Sequence, residues 1–472
     1  MLINNKADIN KCRDTGESPL YIACYKGYTE VVQMLIKNKA GINKCDDEEV
    51  SPLYIACQEG HTEVVQTLIN NKADINKCMD DGASPLFIAC QNGHTEVVQM
   101  LINNKADINK CRDTGASPLF MACQNGHTEV VQMLINNKAD INKCTDNDGA
   151  SPLFMACQEG HTEVVQMLIN NKADINKCRD TGASPLFIAC QEGHTEVVQM
   201  LINNKADINK CDDDEVSPLY IACHGGYTEV VKMLIKNKSD INKCRKSGSS
   251  PLYIACQKGH TEIVKMLINN KADINKCRDT GESPLFIACQ ERHTEVVQML
   301  INNKADIDKC SDTDGVSPLW VACHEGHTEV VQMLINNNAD IKKCRDTDGV
   351  SPLSIACHGG YTEVVQMLIN NKADINKCRD TDGSSPLFIA CQEGQTEVVQ
   401  MLINNNADIK KCRDTDGVSP LFIACHLGYT EVVQMLINNK ADINKCRENW
   451  IITSVHCLSE WTYRSSSDVN KQ

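Results

Sequence analysis

Residues 84–116 read SPLFIACQNGHTEVVQMLINNKADINKCRDTGA, and this 33-residue string recurs with small edits along the chain. A period of that length has to be recognised first, because each copy is one supersecondary unit whose apolar side is completed by its neighbours. All 13 prolines keep the phase, each in a Ser-Pro-Leu step from Pro19 to Pro420, with seven spacings of 33 residues and five of 34. The period is near-rigid, with one optional residue. The extra residue falls in loop segments such as Asp146-Asn147-Asp148-Gly149 and Asp348-Gly349, which suit a turn.

Within the unit, Ser84 is placed to cap a first helix and Pro85 to occupy its first turn, where no amide donor is needed. Gly93 keeps that helix short. The spacing of Leu86, Ala89 and Cys90 predicts that it buries one side only. After a Gly93-His94 turn, Thr95 reads as the cap of a second helix and Glu96 as a charge at its positive end. Val97, Val98, Leu101 and Ile102 form its apolar stripe, while Gln99 and Asn103 face elsewhere. Asn103 and Asn104 are expected to fray the helix end. Residues 109–116, polar and rich in Asp, Thr and Gly, read as an extended arm or hairpin leading to the next Ser-Pro. The unit is helix, turn, helix, projecting loop.

These residues carry a family resemblance. Ser-Pro-Leu-Phe-x-Ala-Cys, Gly-His-Thr-Glu-Val-Val, Leu-Ile and Ala-Asp-Ile-Asn resemble the ankyrin repeat, whose signature has Thr-Pro-Leu-His-x-Ala at the first helix, over residues 1 to about 449. The resemblance implies an all-α solenoid of helix-turn-helix units with projecting loops, and recognition of a protein partner across a concave face made by loop tips and first helices. Two departures are systematic. Phe87, or Tyr21, Tyr54 and Trp320 in sister units, stands where the family usually has His. Lys105 stands where it usually has Gly after the second helix, at a left-handed position that strains any side chain. The expected organisation is a partial leading repeat over 1–17, an array of thirteen repeats over 18–449, and a degenerate cap with a disordered tail over 450–472, where Trp450, Ile451 and Ile452 break the pattern. Met1 aligns with Met34, so the chain reads as opening on the tail of a second helix. Such an end suggests a fragment of a longer protein, or an uncapped half-repeat available for end-to-end self-association.

Composition narrows the partners. Net charge is −15, and no stretch approaches the roughly 20 apolar residues that span a membrane, so neither membrane insertion nor nucleic-acid binding is expected. An acidic rim instead favours a protein partner with a basic surface. Of 28 cysteines, all but Cys457 fall in two columns: an Ala-Cys step on the first helix and a Lys-Cys step in the loop. Neither has Cys-x-x-Cys spacing, which points to structural thiols in a reducing cytoplasm or nucleus, with no metal or other cofactor.

Comparison among the units shows where the chain changes. The second-helix stripe hardly varies, whereas the pair after Ala-Cys and the loop tip do. Tyr25, Lys26, His224, His324 and His426 depart from the common residues of the first zone; Asp47, Glu48, Glu49, Asp213, Asp214 and Glu215 make the second strongly acidic. These are the candidate protein-binding residues. Arg292 replaces the Gly that separates the helices elsewhere, which marks a weak point. The histidines before Thr-Glu, such as His94, are exchanged for Tyr227, Tyr361 or Gln395 in sister units, so they read as packing and hydrogen-bonding residues rather than ligands or bases. The loop acids lack a converging cluster or a calcium-loop pattern, and no nucleophile-base set stands outside the repeat, so the chain reads as no enzyme. The sequence points to a non-catalytic scaffold or adaptor. It leaves open the recognition arm of a larger enzyme, channel or ubiquitin-ligase-type protein, and a structural spacer.

Overall fold

A computed structural model describes residues 8–442. Residues 1–7 and 443–472 lie outside it, and with them most of the leading half-repeat and the expected carboxy-terminal cap. The described residues contain 26 helices of seven to nine residues and no strand. They form successive pairs such as α5 (Pro85–Gln91) and α6 (Thr95–Asn103), counting helices from α1 (Pro19–Tyr25) and α2 (Thr29–Lys37). The chain divides into two compact blocks, Met1–Asp240 and Ile241–Gln472, each of them a stack of helix pairs.

The first helix forms as its sequence predicts. Ser84 is extended (ψ 164°), its hydroxyl accepts the Phe87 amide at 3.1 Å, and Pro85 begins the helix. The same serine cap recurs in every repeat, for example at Ser18 and Ser283. Losing one such cap costs about 1 kcal/mol. Burial differs from the expectation of a single apolar side: Pro85, Leu86, Phe87, Ile88, Ala89 and Cys90 are all buried. The reason is stacking, since the helix lies between its own second helix and the first helices before and after it.

The second helix departs from expectation at both ends. Thr95 is its first residue, and the capping position belongs to His94, which makes no side-chain cap bond. The Thr95 hydroxyl donates back to the Gly93 carbonyl instead. At the other end Asn104 closes the helix, its Nδ2 donating to the Met100 carbonyl at 2.8 Å. Lys105 follows at φ 65°, and the amides of Lys105 and Ala106 return to the carbonyls of Ile102 and Leu101. This is the glycine-type helix ending carried out by lysine. A cation beside the helix's negative end offsets part of the left-handed strain.

The loop closes as a tight turn, with Arg112 N–H donating to Ala116 O and Gly115 N–H to Arg112 O. It forms the hairpin bend expected, without strands. Neighbouring loops are joined by Asp113 N–H to Asp81 O at 2.9 Å and Asp146 N–H to Thr114 O at 2.9 Å. A second ladder runs beneath them, in which the Asn76 side-chain oxygen accepts the Asp107 amide and Asn109 that of Asp140. At the amino-terminal end Tyr28, Val31 and Met34 of the first full repeat are exposed, whereas Val64 and Val97, the equivalents of Val31, are buried.

Candidate protein-binding face

The aromatic that replaces the expected histidine has a specific neighbour. The Arg112 guanidinium lies 5.6 Å from the Phe87 ring centroid and pairs with Asp81 of the preceding loop; Arg179 lies 5.1 Å from Phe154 and pairs with Asp148. The second block repeats the arrangement with Arg345 over Trp320 and Arg413 over Phe388. Such contacts contribute about 0.5–2 kcal/mol each, depending on desolvation. The acid partners are held in place electrostatically. Hydrogen bonding from Arg345 holds Asp348 below the usual carboxylate range against the opposing effect of burial. For Asp148, burial is outweighed by bonds from Thr145, the Ala150 amide and Arg179. Arginine at the loop is therefore turned into the stack and is spent there.

What remains at the tips is acidic. Asp46 is structural, its Oδ1 accepting the amides of Glu48 and Val50 at 3.1 and 2.9 Å, and Asp212 does the same for Asp214 and Val216. Asp47 and Asp213 lie against the glycine of the preceding tip: a Cβ on Gly16 would meet Asp47 Oδ1 at 2.5 Å, and one on Gly182 would meet Asp213 Oδ1 at 2.6 Å. Their carboxylates belong to a column that continues through Asp113, Asp146 and Asp180. Sequence reasoning missed Asp113 and Asp180, because it searched for variation and this column hardly varies. Glu49 and Glu215 stand at φ 60° and 58°, where other tips use glycine. Glu49 is neutralised by Lys77, 2.6 Å away.

Asp47, Glu48, Asp213, Asp214 and His224 are exposed, as are Tyr25 and Lys26, whose Nζ lies 4.5 Å over the Tyr25 ring. The structure does not gather them into one site. The loops of Asp47 and Asp213 are the ends of a column with four intervening tips. In the second block His324 stacks on Trp320 and bonds Glu325 at 2.8 Å, and His426 stacks on Phe422, so both are exposed rings on aromatic supports. In two repeats the variation after Ala-Cys goes with close packing, although Lys26 and Leu427 occupy the same position before Tyr28 and Tyr429. A Cβ on Gly225 would meet the Tyr227 ring at 2.3 Å, and one on Gly359 the Tyr361 ring at 2.2 Å, so glycine accompanies tyrosine there.

The histidine column is structural. His94 Nε2 lies 2.9 Å from the Gln58 carbonyl and His127 Nε2 2.9 Å from that of Gln91, so each ring donates to the first helix of the preceding repeat. Among the described residues no three His, Cys, Asp or Glu side chains converge on a point where a metal would sit, and no helix is long and apolar enough to cross a membrane.

The family model for ankyrin repeats, three copies long, matches in overlapping segments that together run from residue 1 to 447. Among solved structures, the ankyrin repeat domain of human ASB11 is similar at 25% identity, covering 47% of this chain and 99% of that one with a TM-score of 0.43. No curated protein sequence matches. Proteins of this architecture are generally non-catalytic scaffolds for protein-protein interaction. With serine-capped first helices, a second-helix Thr-Glu-Val-Val step in nearly every repeat and a side-chain ladder carried mostly by Asn, and with the family model matched almost end to end, the chain belongs to the ankyrin-repeat family.

Proposed function

We propose that this protein is an adaptor whose amino-terminal block binds a basic segment of a protein partner along its loop tips. One observation carries the reading: the tip arginines Arg112 and Arg179 are paired within the stack, while Asp47, Asp80, Asp113, Asp180 and Asp213 are exposed and make no ion pair among the described residues. Lysine answers one acid of this column in the first block, Asp146, through Lys143 at 3.6 Å, and three in the second block, at Lys309-Asp312, Lys377-Asp380 and Lys411-Asp414. Tyr25, Lys26 and His224, exposed at the carboxy-terminal ends of first helices in the same block, supply anchors of other chemistry. The acidic column sets orientation and on-rate, and falls in effect as salt rises. End-to-end self-association would use the apolar end face at Tyr28, Val31 and Met34 instead. The two thiol columns fit a reducing compartment, cytoplasm or nucleus, because the helix column is sealed in the core.

Calorimetric titration of the full chain with an unstructured lysine-rich peptide, and with its glutamate-rich counterpart, tests the reading. The lysine peptide should bind and the other should not. Replacing Asp80, Asp113 and Asp180 together by Asn should weaken binding about tenfold at low salt. Equal affinity for the two peptides, or none for either, would favour a spacer.

A further inference from the structure

The side-chain ladder beneath the loops has a missing rung. Asn43 accepts the Asp74 amide and Asn142 that of Asp174; in the second block Asn275 accepts the Asp306 amide, Asp308 that of Asp340 and Asn376 that of Asp408, all at 2.9 Å. Between the last two, the equivalent residue is Lys342. An ammonium group has only donors, so it cannot take the place of the amide oxygen. The Asp374 backbone N–H, which should be the donor of this rung, makes no hydrogen bond among the described residues. Its own carboxylate is turned back on the Asn376 amide at 3.0 Å.

An open cleft of about 230 Å³ lies at this step. Ile341 and Leu353 contribute apolar surface, and Lys342, Asp374 and Lys377 line it as well. Lys377 is occupied by Asp380 at 3.1 Å, whereas Lys342 makes no ion pair among the described residues. The cleft therefore combines an unused cation, an unused backbone donor and an aliphatic wall. A cation beside an N–H is the donor set that a carboxylate accepts through charge-assisted hydrogen bonds. The wall favours an aliphatic group next to that carboxylate.

We infer that the cleft at Lys342 and the Asp374 amide binds a carboxylate carried on a short aliphatic body. Two sources share this chemistry: a free branched short-chain acid, and the carboxy-terminal leucine or isoleucine of a protein. Lys342 supplies the charge and the Asp374 N–H fixes the oxygen; the aliphatic part lies on Ile341 and Leu353. The site is independent of the acidic tips of the first block.

The test is a ligand-observed NMR titration of the full chain with 4-methylpentanoate, and with a short neutral peptide ending in leucine either as the free acid or as the amide. Saturable binding of at least one free carboxylate and loss of binding by the amide-capped peptide are expected. Tighter binding of the peptide acid than of 4-methylpentanoate assigns the site to a protein end; tighter binding of 4-methylpentanoate assigns it to a free acid. Lys342→Asn restores the residue used by most sister repeats, so the stack is kept while both charge and open donor are removed. It should weaken binding at least tenfold, a loss of about 1.4 kcal/mol, with an unchanged circular dichroism spectrum. Lys342→Met removes the charge and leaves the amide open, and should fall between the two. Failure of both carboxylates to bind, equal binding of the amide-capped peptide, or wild-type affinity in Lys342→Asn would overturn the assignment.

Discussion

At the scale of single residues, the backbone positions that demand glycine explain most of the departures. Arg292 adopts φ 61°, in the same left-handed region as Gly259 at 71° and Gly326 at 70° in adjoining repeats, and His327 still reaches the Gln290 carbonyl at 3.0 Å. The repeat has kept its geometry and accepted the strain, which costs a non-glycine residue about 1–2 kcal/mol. Arg292→Gly relieves that strain but gives the unfolded chain more freedom, worth about 0.5–1 kcal/mol in the opposite direction. The expected net gain is about 0.5 kcal/mol, seen as a higher urea midpoint with the slope unchanged; a lower midpoint would mean that Arg292 makes a compensating contact. Both Arg292 and Lys105 were legible in the sequence because copies with glycine, or a family pattern with glycine, mark the position. Thr95 was not. It is a good capping residue by type, but the slot before it is held by His94, whose ring bonds the preceding repeat. A single-helix rule has no knowledge of that neighbour.

At the scale of elements, the first helix was misjudged for the same reason. Seven residues give too few turns for a period to reveal whether one side or all sides are covered, and stacking buries every residue of this helix from Pro85 to Cys90, leaving only Gln91 half-buried. The consequence falls on the helix thiols, twelve of which are buried. Burial pushes the Cys24 thiol up to about 12 and raises those of Cys90, Cys123 and Cys190 further. Unfolded thiols ionise near pH 8.5, so above that pH the unfolded state holds fewer protons than the folded one. The stability from neutral buried thiols is therefore complete below about pH 8.5 and is lost as pH climbs toward the folded values, at up to about 1.4 kcal/mol per thiol per pH unit. Urea midpoints should change little from pH 7 to 8 and fall steeply from pH 8.5 to 9.5, below the range where lysine and tyrosine dominate. Cys90→Ala should lower that slope by one proton. A midpoint that stays level to pH 9.5 would contradict the sealed column.

At the scale of the whole chain, the period made the array legible, whereas the division at Asp240 and Ile241 was not. Its nearest mark is Ser239, which replaces alanine in the Lys-Ala-Asp step and buries a hydroxyl without a partner. Within the first block each helix pair touches the pair before and the pair after, so stability should behave as a sum of repeat and interface contributions. Removing residues 84–150 excises one repeat of 33 residues and one of 34 and joins Ala83 to Ser151, a junction equivalent to Ala83-Ser84. The new interface brings a first helix with Tyr54 against one with Phe154, and the Asn76 oxygen against the Asp174 amide, both pairings of types the stack already uses. Because no contact has to be invented, the shortened chain should keep the same helical signal per residue. Its urea slope should fall, since that slope follows the surface exposed on unfolding. Loss of helical signal, or a chain that no longer refolds, would show that these repeats depend on more than their immediate neighbours.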